Sequence, residues 1–216
     1  MKVLVYVPSM RTYALSLNSI MALDCGDHDV VIKIDKTRVY ENHKEDLLRK
    51  YSGARAEALA DFDCLMTLED DIMVPPDAML KLIAHDAPVA YGITVNRHGP
   101  PHVWTPCKTL VGDTATYHPL SEYGNTVDVE GCGFFCTLIS HEALSAVAFR
   151  PHHSGEHYLD IPFSNDLRAA GIRQIADLSV VCAHLLDETH ALYPTAQGCS
   201  MVTFDEADSV GDYEIS

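Results

Sequence analysis

The chain has 216 residues, 47% of them apolar and 21% charged, which suits an ordinary soluble globular protein long enough for one substantial core. Its 31 acidic against 15 basic side chains leave a formal net charge of −16, which argues against a surface that tracks nucleic-acid phosphates. No apolar stretch approaches the ~20 residues of a membrane span. The seven cysteines are an odd number without a Cys-x-x-Cys pair, so reduced thiols in a cytoplasmic protein fit better than a disulfide framework or a thiolate zinc site.

Lys2 to Val7 predicts a first strand rather than a signal peptide, because Pro8, Met10 and Arg11 interrupt the apolar run too soon. Tyr13 to Leu23 reads as a helix, Asp29 to Ile34 as a second strand ending at Asp35, and Glu45 to Leu59 as a helix weakened by Gly53. Cys64 to Leu68 has no polar alternation, which predicts a strand buried on both faces. Pro76 then opens a helix carrying Met79, Leu80, Leu82 and Ile83, and Ala87 to Val95 is the next strand. This strand-helix alternation predicts a mostly parallel Rossmann-type sheet flanked by helices.

Beyond Asn96 the pattern changes to a smaller mixed β region in the C-terminal half. Gly99-Pro100-Pro101 reads as a loop, and Val103 to Tyr117 holds short β-like pieces. Thr126 to Glu130 and Phe134 to Ile139 read as strands broken at Gly131-Cys132-Gly133, and His141 to Val147 as a helix followed by a His-rich loop. Pro162 to Ala170 predicts a helix ended by Gly171, with short strands at Ile172 to Ile175 and Ser179 to His184. Nothing marks an internal linker. One domain over 1–204 is expected, with a half at about 1–97, a second at about 98–204, and an acidic tail at 205–216.

The densest chemical signal is Leu68-Glu69-Asp70-Asp71-Ile72-Met73-Val74-Pro75-Pro76, an apolar strand that runs into three carboxylates. Adjacent acids repel, and partial burial makes that costly unless a cation relieves it. Ligands of open α/β sheets bind at the carboxyl ends of strands, so a divalent-cation site is the expectation. The plainer alternative is a solvated acidic turn before a helix. If strand geometry continued through the acids, Glu69 and Asp71 would share a side and Asp70 would point away.

Four segments together resemble a family 2-type glycosyltransferase with the GT-A fold, over about residues 2 to 185. They are Val5-Tyr6-Val7-Pro8-Ser9, the acid-tipped strand with its prolines, Val129-Glu130-Gly131-Cys132-Gly133-Phe134, and Asp160-Ile161-Pro162-Phe163 with the later Val181-Cys182-Ala183-His184. The resemblance implies a metal-dependent, inverting transfer of a sugar from a nucleotide-diphosphate sugar to an acceptor hydroxyl. The first half then becomes the nucleotide-binding half and the second the acceptor half. Mn2+ or Mg2+ would be held by Asp71, Glu69 and His184, with His190 a nearby competitor. Asp160 becomes the general base, although an N-cap at the helix start is the plainer role. Pro8, Ser9, Asp35, Arg55, Glu69, Asp70, Gly131 and Gly133 become donor-binding positions. For Arg55 a solvated helical arginine is an equal reading, and for the glycines a simple bend. Trp104 could stack on an acceptor ring.

Two other classes compete. A sugar-nucleotide nucleotidyltransferase of the same fold would want a Gly-rich phosphate loop after the first strand, and Pro8-Ser9-Met10-Arg11 has no glycine. A non-catalytic nucleotide- or metal-binding protein of the same fold is the other. The acceptor stays open among a glycan, a lipid-linked sugar, a protein side chain and a hydroxylated DNA base.

Overall fold

The computed structural model describes residues 1–10, 13–36, 43–96, 105–111, 114–152 and 159–205. Strand β1 (Lys2–Ser9) is buried from Val3 onward, as its unbroken apolar run requires. Helix α1 (Ala14–Met21) turns Leu15, Leu17 and Ile20 inward. Strand β2 (Asp29–Lys36) alternates exposed and half-buried residues, the pattern of an edge strand. Helix α2 (His43–Asp61) opens with Glu45 and Asp46 at its positive dipole end and buries Tyr51, Ala54 and Ala58 along one stripe. Gly53 falls on its open side, where an added Cβ would meet nothing within 4 Å.

The acid-tipped segment resolves into β3 (Cys64–Leu68), a turn, and a short β4 (Ile72–Met73). Helix α3 (Ala78–Ala84) and β5 (Val89–Ile93) follow. Strands β6 (Cys107–Val111) and β7 (Thr114–Tyr117) pair with each other in a separate two-stranded sheet. After β8 (Thr126–Asp128) and β9 (Cys136–Ser140) comes α4 (His141–Ala146), capped by the Ser140 hydroxyl accepting the Ala143 N–H at 3.2 Å. Helix α5 (Asp160–Ala169) ends before Gly171, whose φ of +71° suits a residue without a Cβ. The chain closes with β10 (Gln174–Val181), β11 (Ala183–Leu185), β12 (His190–Thr195) and β13 (Gly198–Thr203).

The main sheet has seven strands in the order β2-β1-β3-β9-β5-β10-β8. It is mixed, which corrects the expectation of a mostly parallel sheet. β1–β2, β1–β3 and β5–β10 are parallel pairings, while β3–β9, β5–β9 and β8–β10 are antiparallel. The reason is β9, which enters between β3 and β5 in the opposite direction, together with β8, which runs antiparallel to β10 at the edge. Every residue of β3 and β5 is buried, so both faces of the sheet are covered. Helices α2 and α4 pack together, with α2 on β1 and β3, and α3 packs on β5 and β10.

The central strands sit so close that Gly92 in β5 leaves no room for a methyl group. An added Cβ would lie 2.9 Å from Val180 Cγ1, 3.0 Å from the Val180 carbonyl and 3.2 Å from Cys136 Sγ. Gly92→Ala is expected to destabilise the protein by ~1–3 kcal/mol through overpacking. Urea unfolding should show a lower midpoint at unchanged slope.

A second sheet, β13-β12-β11-β4, is antiparallel throughout. Its last hairpin, β12–β13, has no counterpart in the sequence expectations. The two short strands expected at Ile172 to Ile175 and Ser179 to His184 become one longer β10 followed by β11. Trp104, the Gly99-Pro100-Pro101 loop, the run from His153 to Gly155 and the tail from 206 onward lie outside the described residues. No helix among the described residues is long and apolar enough to cross a membrane.

Candidate active site

Strand geometry ends at Leu68, so the alternation argument for the acids does not apply. Glu69 to Asp71 form a turn in which the Ile72 N–H donates to the Glu69 carbonyl at 3.3 Å. The three carboxylates take different surroundings as a result. Asp70, 7% exposed, accepts the Met10 backbone N–H at 2.6 Å and so ties the end of β1 to the acidic turn. Asp71, 6% exposed, faces β11, whose Leu185 N–H donates to the Asp71 carbonyl at 2.8 Å. Glu69 lines a cavity at the carboxyl ends of β3 and β5.

His184 lies directly across from Ile72 in the β4–β11 pairing. Its Nδ1 lies 2.8 Å from the Val95 carbonyl, the place for an N–H donor. That hydrogen bond leaves Nε2 as the lone-pair nitrogen, 3.9 Å from Asp71 Oδ1. A histidine held by a backbone carbonyl with its other ring nitrogen beside a carboxylate is the donor arrangement expected of a metal ligand. Among the described residues there is no group of three or more His, Cys, Asp or Glu side chains suited to a metal, so Asp71 and His184 stand as a pair. The pair fits a hard divalent ion that completes its shell with phosphate oxygens and water. His190, the competing histidine, is occupied elsewhere, with Nδ1 2.9 Å from Asp187.

The cavity encloses about 510 Å³, and Glu69, Gly131, Gly133, Asp160 and His184 all line it. Five candidates scattered over the sequence therefore share one space. Asp160 is the first residue of α5, with Leu159 at the N-cap position, so it is not the N-cap that residue type alone suggested. Its Oδ1 accepts the Ile161 N–H at 2.9 Å. Burial raises the Asp160 pKa above the ordinary aspartate range, against the lowering effects of the Ile161 and Asp160 amides and of His152. The opposing influences of burial and helix terminus resolve in favour of burial. A raised carboxylate is a better proton acceptor than an ordinary aspartate.

The two glycines play packing roles. A Cβ at Gly131 would meet Ser164 Cβ and Oγ at 2.8 Å, so this glycine lets the strand break rest against α5. A Cβ at Gly133 would lie 3.0 Å from Phe135 and 3.5 Å from Asp160 Oδ2, filling the space beside the carboxyl.

The remaining donor-binding candidates separate into two places. Pro8 and Asp35 are register partners at the carboxyl ends of β1 and β2, with Ser9 next to them and 4% exposed. Asp35 accepts from the Tyr6 hydroxyl at 3.1 Å and from the buried Lys50 ammonium at 3.2 Å. Arg55 is not brought to this group. Its Nε donates to the Leu144 and Val147 carbonyls at 2.8 and 3.0 Å, satisfying the last carbonyls of α4 from the side of α2. Arg55 thus ties α2 to the end of α4 through its Nε.

The cavity also gathers residues that the sequence did not single out. His152 is 6% exposed and lines it, as do Thr94 and Asn96 at the end of β5, Thr105, and Tyr117 of β7. The β6–β7 wall is latched to the rest by Glu130, which accepts the Leu110 N–H at 2.6 Å and pairs with Arg168 of α5. Only the polar residues at the end of β5 left a signal, since an apolar strand that turns polar at its carboxyl end marks a ligand edge.

No protein-family model matches the chain, and no curated protein matches it. Among solved structures, A197 from STIV is similar over 100% of this chain and 98% of its own at 19% identity, with a TM-score of 0.67. That likeness shows a shared fold. TarS 1-349 from S. aureus, in a structure with UDP-GlcNAc, is similar over 82% of this chain at 16% identity and a TM-score of 0.47, and this chain spans 56% of it.

Proposed function

We propose that the chain is a nucleotide-sugar-dependent glycosyltransferase that acts with inversion on an acceptor hydroxyl. The observation that carries this reading is the convergence of Glu69, Asp160 and His184 on one cavity, with Asp71 paired to His184 behind it. The half at about 1–97 would bind the nucleotide through Pro8, Ser9 and Asp35, and Asp70 would hold that edge to the acidic turn. The half at about 98–204 would receive the acceptor.

Asp71 and His184, with Glu69 at the ribose or the same ion, would hold Mn2+ or Mg2+. Such an ion, when bound, neutralises charge on a departing diphosphate. The chain's own part in the chemistry falls to Asp160. Its carboxylate accepts the acceptor's hydroxyl proton as the oxygen attacks the anomeric carbon. The bond from that carbon to the diphosphate oxygen breaks as the new bond forms, and a nucleoside diphosphate leaves.

Isothermal titration with a panel of nucleoside diphosphates, with and without Mn2+, tests the reading. One nucleotide should bind, more tightly with the metal, and Asp71→Ala should remove the metal-dependent part. Absence of binding by every nucleotide, or binding indifferent to both metal and Asp71, overturns it.

A further inference from the structure

Lys50 belongs to α2, and its side chain is 4% exposed, an uncommon place for an ammonium group. Its three N–H donors are all taken. The Asp35 carboxylate Oδ1 accepts at 3.2 Å, the Asp35 carbonyl at 3.2 Å and the Lys36 carbonyl at 2.8 Å. Asp46, one turn earlier on α2, lies 3.7 Å away. An ammonium engaged in this way has no donor left for a ligand, so Lys50 is not placed to bind phosphate directly. What it holds is the carboxyl end of β2, at the sheet edge where Pro8 and Asp35 are register partners.

Asp35 is gripped from a second side. The hydroxyl of Tyr6, a buried residue of β1, donates to the other carboxylate oxygen, Oδ2, at 3.1 Å. Burial, and then the Asp35 charge, keep the Tyr6 phenol protonated far above the ordinary tyrosine range, so it stays a donor. With one buried donor on each oxygen, the carboxyl group cannot turn about its last bond without breaking a hydrogen bond. An ionised carboxylate accepts about four hydrogen bonds, so each oxygen keeps a lone pair. The Asp35 side chain is 37% exposed, within reach of a ligand. A ligand that meets a carboxylate already fixed in its plane is spared the cost of ordering it.

We infer that Lys50, together with Tyr6, is a positioning residue for nucleotide binding: the pair fixes the Asp35 carboxylate as a ready acceptor for N–H or O–H groups of the nucleoside. The inference rests on the transferase reading for the identity of the ligand, and on the Lys50–Asp35–Tyr6 geometry for the division of roles.

A double-mutant cycle on the full chain, read by calorimetry with Mn2+ and the nucleoside diphosphate that the parent binds best, tests it. Lys50→Met should weaken that nucleotide about tenfold in the parent background. In the Asp35→Ala background the same change should cost less than about twofold, because the group that Lys50 positions is gone. Tyr6→Phe should behave alike with a smaller loss. Lys50→Met also strips two backbone carbonyls of their donor, so its melting temperature falls whatever its part in binding, and only the cycle decides. If that variant does not fold, Lys50→Gln, which keeps N–H donors, takes its place. A loss that persists undiminished without Asp35, or no loss in the parent background, overturns the inference and leaves the transferase reading standing. A parent that binds no nucleoside diphosphate removes the transferase reading, and the inference with it.

Discussion

Asp160→Asn is expected to lose ~10²–10⁴-fold in transfer rate, the usual worth of a positioned general base, and yet to melt at a higher temperature than the parent. Both effects come from the same burial. The folded protein holds the Asp160 proton more tightly than the unfolded chain does, because burial raises the folded pKa. The stability this provides is complete below the unfolded pKa and is lost as pH rises through the folded one. Once pH exceeds the folded pKa the protein carries an ionised group in a place that disfavours charge, and the amide removes that penalty. For a chain of this size each kcal/mol relieved appears as ~2–4 °C in the melting temperature. The gap between variant and parent should close as pH falls. In the parent, the rate should rise with pH through a midpoint above the ordinary carboxylate range. A variant that keeps its activity, or that melts below the parent at neutral pH, would remove Asp160 from this role.

The second large effect concerns Asp71 and His184. Partners that merely orient a metal ligand are worth ~10–100-fold in affinity, so losing a ligand itself should cost at least that much. Asp71→Asn and His184→Ala are each expected to lower the Mn2+-dependent part of nucleotide affinity by this amount, while metal-free affinity stays near that of the parent. Because both would act through one ion, the double variant should lose hardly more than either single one. Calorimetric titrations of all four proteins form the cycle. Additive losses would mean that the 3.9 Å pairing of the two side chains serves no shared ligand.

The parts legible in the sequence were those written in local pattern. Cys64–Leu68 is a strand to the residue because an unbroken apolar run bounded by acids admits little else. The direction of Cys136–Ser140 was not legible, since a strand buried on both faces reads alike either way, and together with the antiparallel edge strand β8 it makes the sheet mixed. The β12–β13 hairpin has no counterpart in the sequence reading, and it contains a proline, Pro194, of the kind that argues against a strand. In the fold, Pro194 sits beyond the part of β12 that pairs with β11, where its missing N–H costs nothing. Asp71, His184 and Asp160 were singled out as candidates through a resemblance of ordered motifs. His152, Thr94 and Tyr117 were not, because they meet only in three dimensions. The contact of Arg55 Nε with two carbonyls at the end of α4 was equally out of reach of local pattern.

The reversed strand has a consequence for how the chain can be made and divided. Strands β3 and β5 are held one strand-width apart, and the strand that fills the gap is synthesised only after β6, β7 and β8. Until then β5, whose five residues end up wholly buried, has no strand partner on either side, since its neighbours are β9 and β10. A nascent or truncated chain stopping near residue 97 would present two bare apolar edges, a template for aggregation. The two halves of the chain thus cannot be prepared as separable fragments: the first acquires a continuous sheet only when the second inserts into it.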